Sequence, residues 1–299
     1  MTIIEGAESN ATPPAGRDGR ERADEVPEFF GPFSEGLFGC AYIPQGVPFG
    51  GVVICPSIHA ELLANYRREV LLARTLAKAR FAVQRFHYRG TGQSDGEGRE
   101  VTYGRMVEDV LAAAAHLVDR IGVSSVAFVG TRWGALVGAS AAANWGDGPL
   151  VMWEPVVDAE RFFREVVRLR IIAEMKDGTV QASGDELLGR IEMEERLDVL
   201  GNAIDRALFA TSAGRTLSTE LGNDPRPMLL LQLSPSTRMS PAYATLLDQW
   251  RAAGFDVQSD VLVDEAAWWF PDQPPRGTNA LIGRTARWIE RTAPTGGTR

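Results

Sequence analysis

The chain is poor in the two residue types that most often carry chemistry. It has two cysteines, Cys40 and Cys55, and three histidines, His59, His87 and His116, in 299 residues. Two cysteines cannot make a disulfide framework, and so sparse a usage fits a reducing compartment. No run approaches the roughly 20 apolar residues that span a bilayer, and Met1–Phe29 holds no apolar stretch of signal-peptide length. A cytoplasmic location with no membrane partner is the expectation. Basic charge is also short: 39 acidic side chains against 31 basic ones leave a net charge of −8, which argues against a nucleic-acid partner. Metal-ligand spacing, a phosphate loop and a dinucleotide glycine fingerprint are missing, so no metal and no cofactor is expected.

What is present is a long alternation of strand and helix. A 44% hydrophobic content over this length suits one large α/β domain with an insertion. Residues 1–24 are rich in Gly, Ala, Pro and charge without periodicity and read as a flexible arm, as do residues 292–299 at the other end. Between them, Gly51–Cys55, Phe81–Phe86, Val126–Val129, Leu150–Trp153, Met228–Leu233 and Val257–Val263 read as strands. Tyr66–Ala79, Tyr103–Ile121, Ala242–Ala253 and Asn279–Arg291 read as helices. This is the pattern of a mostly parallel central sheet flanked by helices. The strand rhythm stops over residues 159–223, which read as a helical lid inserted into a core made of residues 25–158 and 224–291.

Two segments are specific enough to suggest a family. Arg85–Gly96, RFHYRGTGQSDG, and Val126–Ser140, VAFVGTRWGALVGAS, resemble the strand-loop and the nucleophile elbow of the α/β-hydrolase superfamily, its serine-aminopeptidase-like branch above all. A fainter likeness, through WEPVVD at Trp153–Asp158, is to hydrolase-like proteins associated with exosortase systems. The resemblance covers about Phe33 to Arg291 and implies the α/β-hydrolase fold. It also implies a Ser-His-Asp triad, which this sequence does not supply. Gly130 and Gly134 keep the elbow spacing, but Arg132 stands between them, and a guanidinium has no lone pair with which to attack a carbonyl. The loop at the acid position, Ser234–Arg238, has no carboxylate. All three histidines precede the elbow, so none can follow the last strand as the base. A degenerate triad and loss of ordinary hydrolysis are the expectation.

Two readings of Arg132 stay open. At a helix N-terminus it could hold an anionic or acyl-type ligand in a small-molecule site. Alternatively it pairs with a carboxylate and plugs a dead pocket, with Glu154 as first partner and Asp158, Asp264 and Glu265 as alternatives. A relocated constellation is the enzymatic rival: Ser57 or Cys55 with His59, or Arg132 with Glu154, in a hydrolase, acyltransferase or lyase. His87 reads as orienting its loop and His116 as structural. Trp133, Trp153, Trp268, Trp269 and Phe270 should gather at the C-terminal edge of the sheet, either around an apolar or aromatic ligand, or closing an emptied cavity, or at a contact between two copies in a homodimer. A scaffold that kept the fold and lost the pocket is the third reading.

Overall fold

The computed structural model describes residues 23–32, 34–146, 148–180, 182–223, 225–263 and 278–292. The core is an eight-stranded sheet. Its strands are β1 (Asp24–Phe30), β2 (Leu37–Ile43), β3 (Gly50–Cys55), β4 (Phe81–Phe86), β5 (Val126–Thr131), β6 (Leu150–Trp153), β9 (Met228–Ser234) and β10 (Val257–Val263), in the order β1-β2-β4-β3-β5-β6-β9-β10. β1 and β2 pair antiparallel with each other and β2 with β4; every other pairing is parallel. β3, β4, β5 and β6 are buried along their whole length, as strands covered on both faces must be; β3 and β6 are apolar throughout, while β4 carries Gln84 and Arg85 and β5 ends on Thr131.

One face is covered by α2 (Tyr103–Ile121), α3 (Trp133–Trp145) and the insertion, and the other by α1 (His59–Lys78) and α9 (Thr278–Thr292). α3 is apolar on every side and lies buried from Trp133 to Ala142. α2 starts where Thr102 accepts from the Arg105 N–H and ends at Gly122 in the left-handed region. α8 (Pro241–Ala252) bridges β9 and β10. From β3 the chain steps to β4 on one side and then crosses back to β5 on the other. That reversal opens a crevice at the C-terminal ends of β3 and β5.

The structure departs from the sequence reading in three places. β1 and β2 are antiparallel strands the pattern did not disclose, and β1 starts at Asp24. α1 begins at His59, seven residues before the expected Tyr66, so that the segment carrying Glu61 is a first helical turn and not a loop. The insertion holds α4 (Ala159–Lys176), α5 (Gly184–Glu194), α6 (Arg206–Ser212) and α7 (Leu217–Leu221), but also a hairpin of β7 (Arg196–Val199) with β8 (Asn202–Asp205). Among the described residues no helix is long and apolar enough to cross a membrane.

The turn from β5 into α3 works only at close quarters. A Cβ on Gly134 would lie 2.1 Å from the Cys55 carbonyl oxygen, and one on Gly130 2.4 Å from the Ala135 Cα. Both obstacles are backbone and cannot swing aside. Gly134→Ala is therefore expected to cost on the order of 3 kcal/mol or to prevent folding. Gly189→Ala, on α5 with nothing within 4 Å of its added Cβ, should be neutral or stabilise by up to about 1 kcal/mol. Thermal denaturation of the two variants checks the contrast.

Candidate functional site

Three non-glycine residues near this crevice have positive φ: His59 at 54°, Arg132 at 51° and Glu154 at 45°. Left-handed backbone is costly for residues with a Cβ and persists only where the surroundings impose it. Arg132 lies between β5 and α3, Glu154 follows β6, and His59 opens α1 after the loop from β3.

Arg132 is 9% exposed, and its guanidinium is engaged in several directions. Nε donates to Glu61 Oε1 at 2.9 Å, Nη1 to the Glu154 backbone carbonyl at 3.2 Å, and Nη2 lies 3.7 Å from Glu165 Oε2 on α4. Glu61 is 1% exposed and also accepts from Ser57 Oγ at 2.6 Å. Burial pushes the Glu61 carboxyl up from the ordinary range while Arg132 and Ser57 pull it back. Burial likewise opposes the Arg132 charge, but Glu61, with Tyr243 and Glu165, outweighs it and the guanidinium is held protonated. Ser57, Glu61 and Arg132 thus form one bonded row across the crevice floor.

The partner expected for Arg132 is thereby corrected. The Glu154 carboxylate does not meet the guanidinium; it accepts from the Leu233 N–H at 2.5 Å and from the Tyr243 hydroxyl at 3.3 Å. With φ at 45°, Glu154 turns its carbonyl toward Arg132 and its side chain toward β9. Asp158 is committed too, as the N-cap of α4, accepting from the Arg161 N–H at 2.8 Å. Glu61 was missed as a partner because residue 61 and residue 132 come together only through the sheet. The available signal was its place one helical turn after Ser57, at the head of a helix facing the elbow.

Nor do Ser57 and His59 bond to each other, since the Ser57 hydroxyl is spent on Glu61. The His59 ring lies near the Ala203 carbonyl on β8, and its Nδ1 has no hydrogen-bond partner among the described residues. Burial lowers its pKa to about 4. The Cys55 thiol is fully buried, and burial pushes it far above the thiol range, so it is no nucleophile. His87 accepts the Gln93 N–H at Nδ1, 3.4 Å away, and Gly92 is required beside it because a Cβ there would meet that nitrogen at 2.2 Å. His116 stacks on Phe30 and pairs with Glu28 at 3.0 Å.

The aromatic cluster is only partly where the sequence placed it. Trp133 is fully buried against Phe162 and Phe163, at ring separations of 4.9 and 5.3 Å, because the residue after the elbow enters the buried face of α3. Trp153 points to the opposite layer, where its Nε1 donates to Thr285 Oγ1 at 2.9 Å; the strand alternation decides this. Trp268, Trp269, Phe270, Asp264 and Glu265 lie outside the described residues.

Two cavities flank the bonded row. One, of about 390 Å³, is walled by Ser57, Ile58, His59, His87 and Met106 and by the β7–β8 hairpin. The other, of about 260 Å³, is walled by Arg132, Glu154, Arg161, Glu165 and Tyr243. No cluster of three metal-ligating side chains occurs among the described residues.

No protein-family model matches the chain, and no curated protein matches it in sequence. Solved structures do match. Est1E from Butyrivibrio proteoclasticus, solved with ferulic acid bound, is similar over 89% of this chain and 98% of its own, at 12% identity and a TM-score of 0.63. An esterase from Pyrococcus furiosus is similar over 90% and 92%, at 14% identity and 0.62. A serine hydrolase without a lid from Xanthomonas campestris is similar over 92% and 97%, at 15% identity and 0.55. At such identities the likeness is one of fold.

Arg132→Ala should leave Glu61 buried without its cation and destabilise the protein by roughly 3–5 kcal/mol. Adding Glu61→Gln should recover part of that loss and adding Glu154→Gln should not, which denaturant titration of the three variants will show. The His59 ring supplies a pH dependence. Because its folded pKa lies below that of an ordinary histidine, the unfolded chain takes up a proton the folded ring refuses. Stability is therefore lost as pH falls from about 6.5 to about 4, by roughly 2–3 kcal/mol. In His59→Asn, where the new residue tolerates positive φ, melting temperature should fall less steeply over that interval.

Proposed function

We propose that this chain, which has the α/β-hydrolase fold, is a non-hydrolytic small-molecule-binding protein. The observation that supports this most directly is the elbow residue: Arg132 occupies the strained position of a nucleophile with its Nε bonded to buried Glu61. A protonated guanidinium cannot form an acyl intermediate, and no histidine follows the elbow to act as base. Of the ligand chemistries that the sequence left open, an acyl-type or otherwise mainly apolar molecule is favoured over an anion. Glu61, the Glu154 carbonyl and Glu165 already surround the guanidinium, so an added anion would have to displace one of them. Cavities of about 390 and 260 Å³ beside the row argue for a binding role over that of a scaffold with a filled pocket.

One observation favours an enzymatic alternative. Ser57 lines the larger cavity and donates to Glu61 at 2.6 Å, the arrangement of a hydroxyl beside a carboxylate base. Against it, the Arg132 guanidinium offsets part of the rise that burial gives the Glu61 carboxyl, which leaves it a weaker base than burial alone would make it.

Ester probes should not be turned over, and a fluorophosphonate probe should not label the protein. Stoichiometric labelling at Ser57, read by mass spectrometry, would promote the alternative. Arg132→Ser should gain no esterase activity, and measurable turnover in that variant would show that a base has been overlooked.

A further inference from the structure

We infer that the first half of α1, residues 59–69, is a movable wall of the larger cavity, and that a proton on Glu69 holds it closed. The inference goes beyond the binding role proposed above and stands whether the cavity takes a ligand or a substrate.

His59, Leu62 and Leu63 line that cavity, so the start of α1 is part of its wall. The two halves of the helix are seated differently. In the second half the buried residues are Leu72, Ala73, Leu76 and Ala77, an apolar set packed on the sheet. In the first half they are Glu61, Ala64, Asn65, Arg68 and Glu69, and only Ala64 among them is apolar. Burying polar groups stabilises little, because each gives up water for the bond it makes. α3, by contrast, is seated on apolar side chains along nearly all of its buried length. The first turn of α1 is also poorly secured: Ile58 at the N-cap makes no side-chain hydrogen bond, and His59 holds a φ of 54°. Both features favour release of this segment over release of the rest of the helix.

Glu69 gains most from release. It is 2% exposed, its ion pair with Arg85 on β4 is long at 3.7 Å, and its Oε1 has no hydrogen-bond partner among the described residues. Arg85 is shared with the Tyr42 hydroxyl at 3.5 Å and with the Tyr66 ring, whose centre lies 4.4 Å from Cζ. On α1 itself, Arg68 donates to Asn65 Oδ1 at 3.0 Å. The Thr131 hydroxyl, at the end of β5, lies near the Glu69 carboxyl. The Cys55 thiol and the Tyr88 phenol feel the Glu69 charge and are kept neutral by burial. β2, β8 and α9 also pack on α1, and none of them brings a charged group that acts on Glu69.

An interior carboxylate so thinly bonded recovers in one of two ways: it takes a proton in place, or the segment carries it to water. Burial raises its pKa to about 7, above that of a glutamate in water. The closed form therefore binds the proton more tightly than the open one. Closure is favoured at low pH, and opening grows as pH rises toward about 7 and levels off above it. Two other groups on the segment titrate as well. Glu61 acts in the same sense as Glu69, whereas His59, whose buried ring refuses a proton, favours opening at low pH.

Backbone hydrogen exchange, read by mass spectrometry on the full chain at pH 6 and pH 8 and corrected for intrinsic rates, tests both parts. Amides of residues 63–69 should open more readily than those of residues 137–142 in α3 at each pH. Glu69→Gln keeps His59 and Glu61 and removes one titrating group. The ratio of opening in the unaltered protein to opening in Glu69→Gln should rise about tenfold from pH 6 to pH 8. Protection of residues 63–69 equal to that of α3 would overturn the movable wall, and this comparison needs only the unaltered protein. A ratio that stays constant with pH would overturn the part given to Glu69. Ester turnover or labelling at Ser57 would sink the non-hydrolytic reading and leave both exchange results standing.

Discussion

A guanidinium and a carboxylate, both nearly out of water, hold the crevice in its observed form. Taking either Arg132 or Glu61 out of water alone would cost several kcal/mol, and each makes the other's burial tolerable. The pair joins α1 to the turn between β5 and α3, two elements with no bond along the chain between them. Ser57 and the Glu154 carbonyl extend the row to the ends of β3 and β6. The chemistry of the crevice follows. Where a nucleophile would present an exposed oxygen to a substrate, this chain has a filled set of hydrogen bonds with a cavity on each side.

The elbow keeps its tight geometry with an arginine at its tip. Gly130 and Gly134 still meet backbone at contact distance, and Arg132 still takes a positive φ. The turn is therefore maintained by the packing of α3 against β3 and β5, and it presents whichever side chain stands at its tip. His59 and Glu154 adopt the same unusual backbone region at neighbouring strand ends. Glu154 is tied to β9 and α8 through the Leu233 N–H and the Tyr243 hydroxyl.

The sheet was legible in the sequence wherever strands are buried on both faces, because Val52–Cys55 and Val126–Val129 are uninterrupted apolar runs and Phe81–Phe86 is apolar but for Gln84 and Arg85. β1 and β2 were not, since an antiparallel edge strand buries alternate residues and DEVPEFF mixes charge, proline and aromatics. The glycine spacing made the tight turn between β5 and α3 legible, with Arg132 at its tip. The identity of the partner did not follow. Glu154 lay nearer to Arg132 along the chain, and the choice between it and Glu61 turned on backbone angles at two strand ends, which composition and periodicity do not encode. Trp133 and Trp153 misled for a related reason. Position at the end of a strand says which edge a residue occupies, whereas helix phase and strand alternation decide the layer its ring enters.

The shared burial of Arg132 and Glu61 also orders the steps by which such a sequence can change. Replacing the arginine by a small hydroxyl residue first leaves an acid sealed among apolar neighbours, and replacing the acid first leaves a sealed cation. Removing either member alone leaves the other buried without its partner, so a change to a hydroxyl at position 132 needs two coordinated substitutions or prior stabilisation elsewhere. The pair acts as a latch on sequence drift: once both residues are in place, selection for folding alone is enough to keep them, whether or not any ligand is bound.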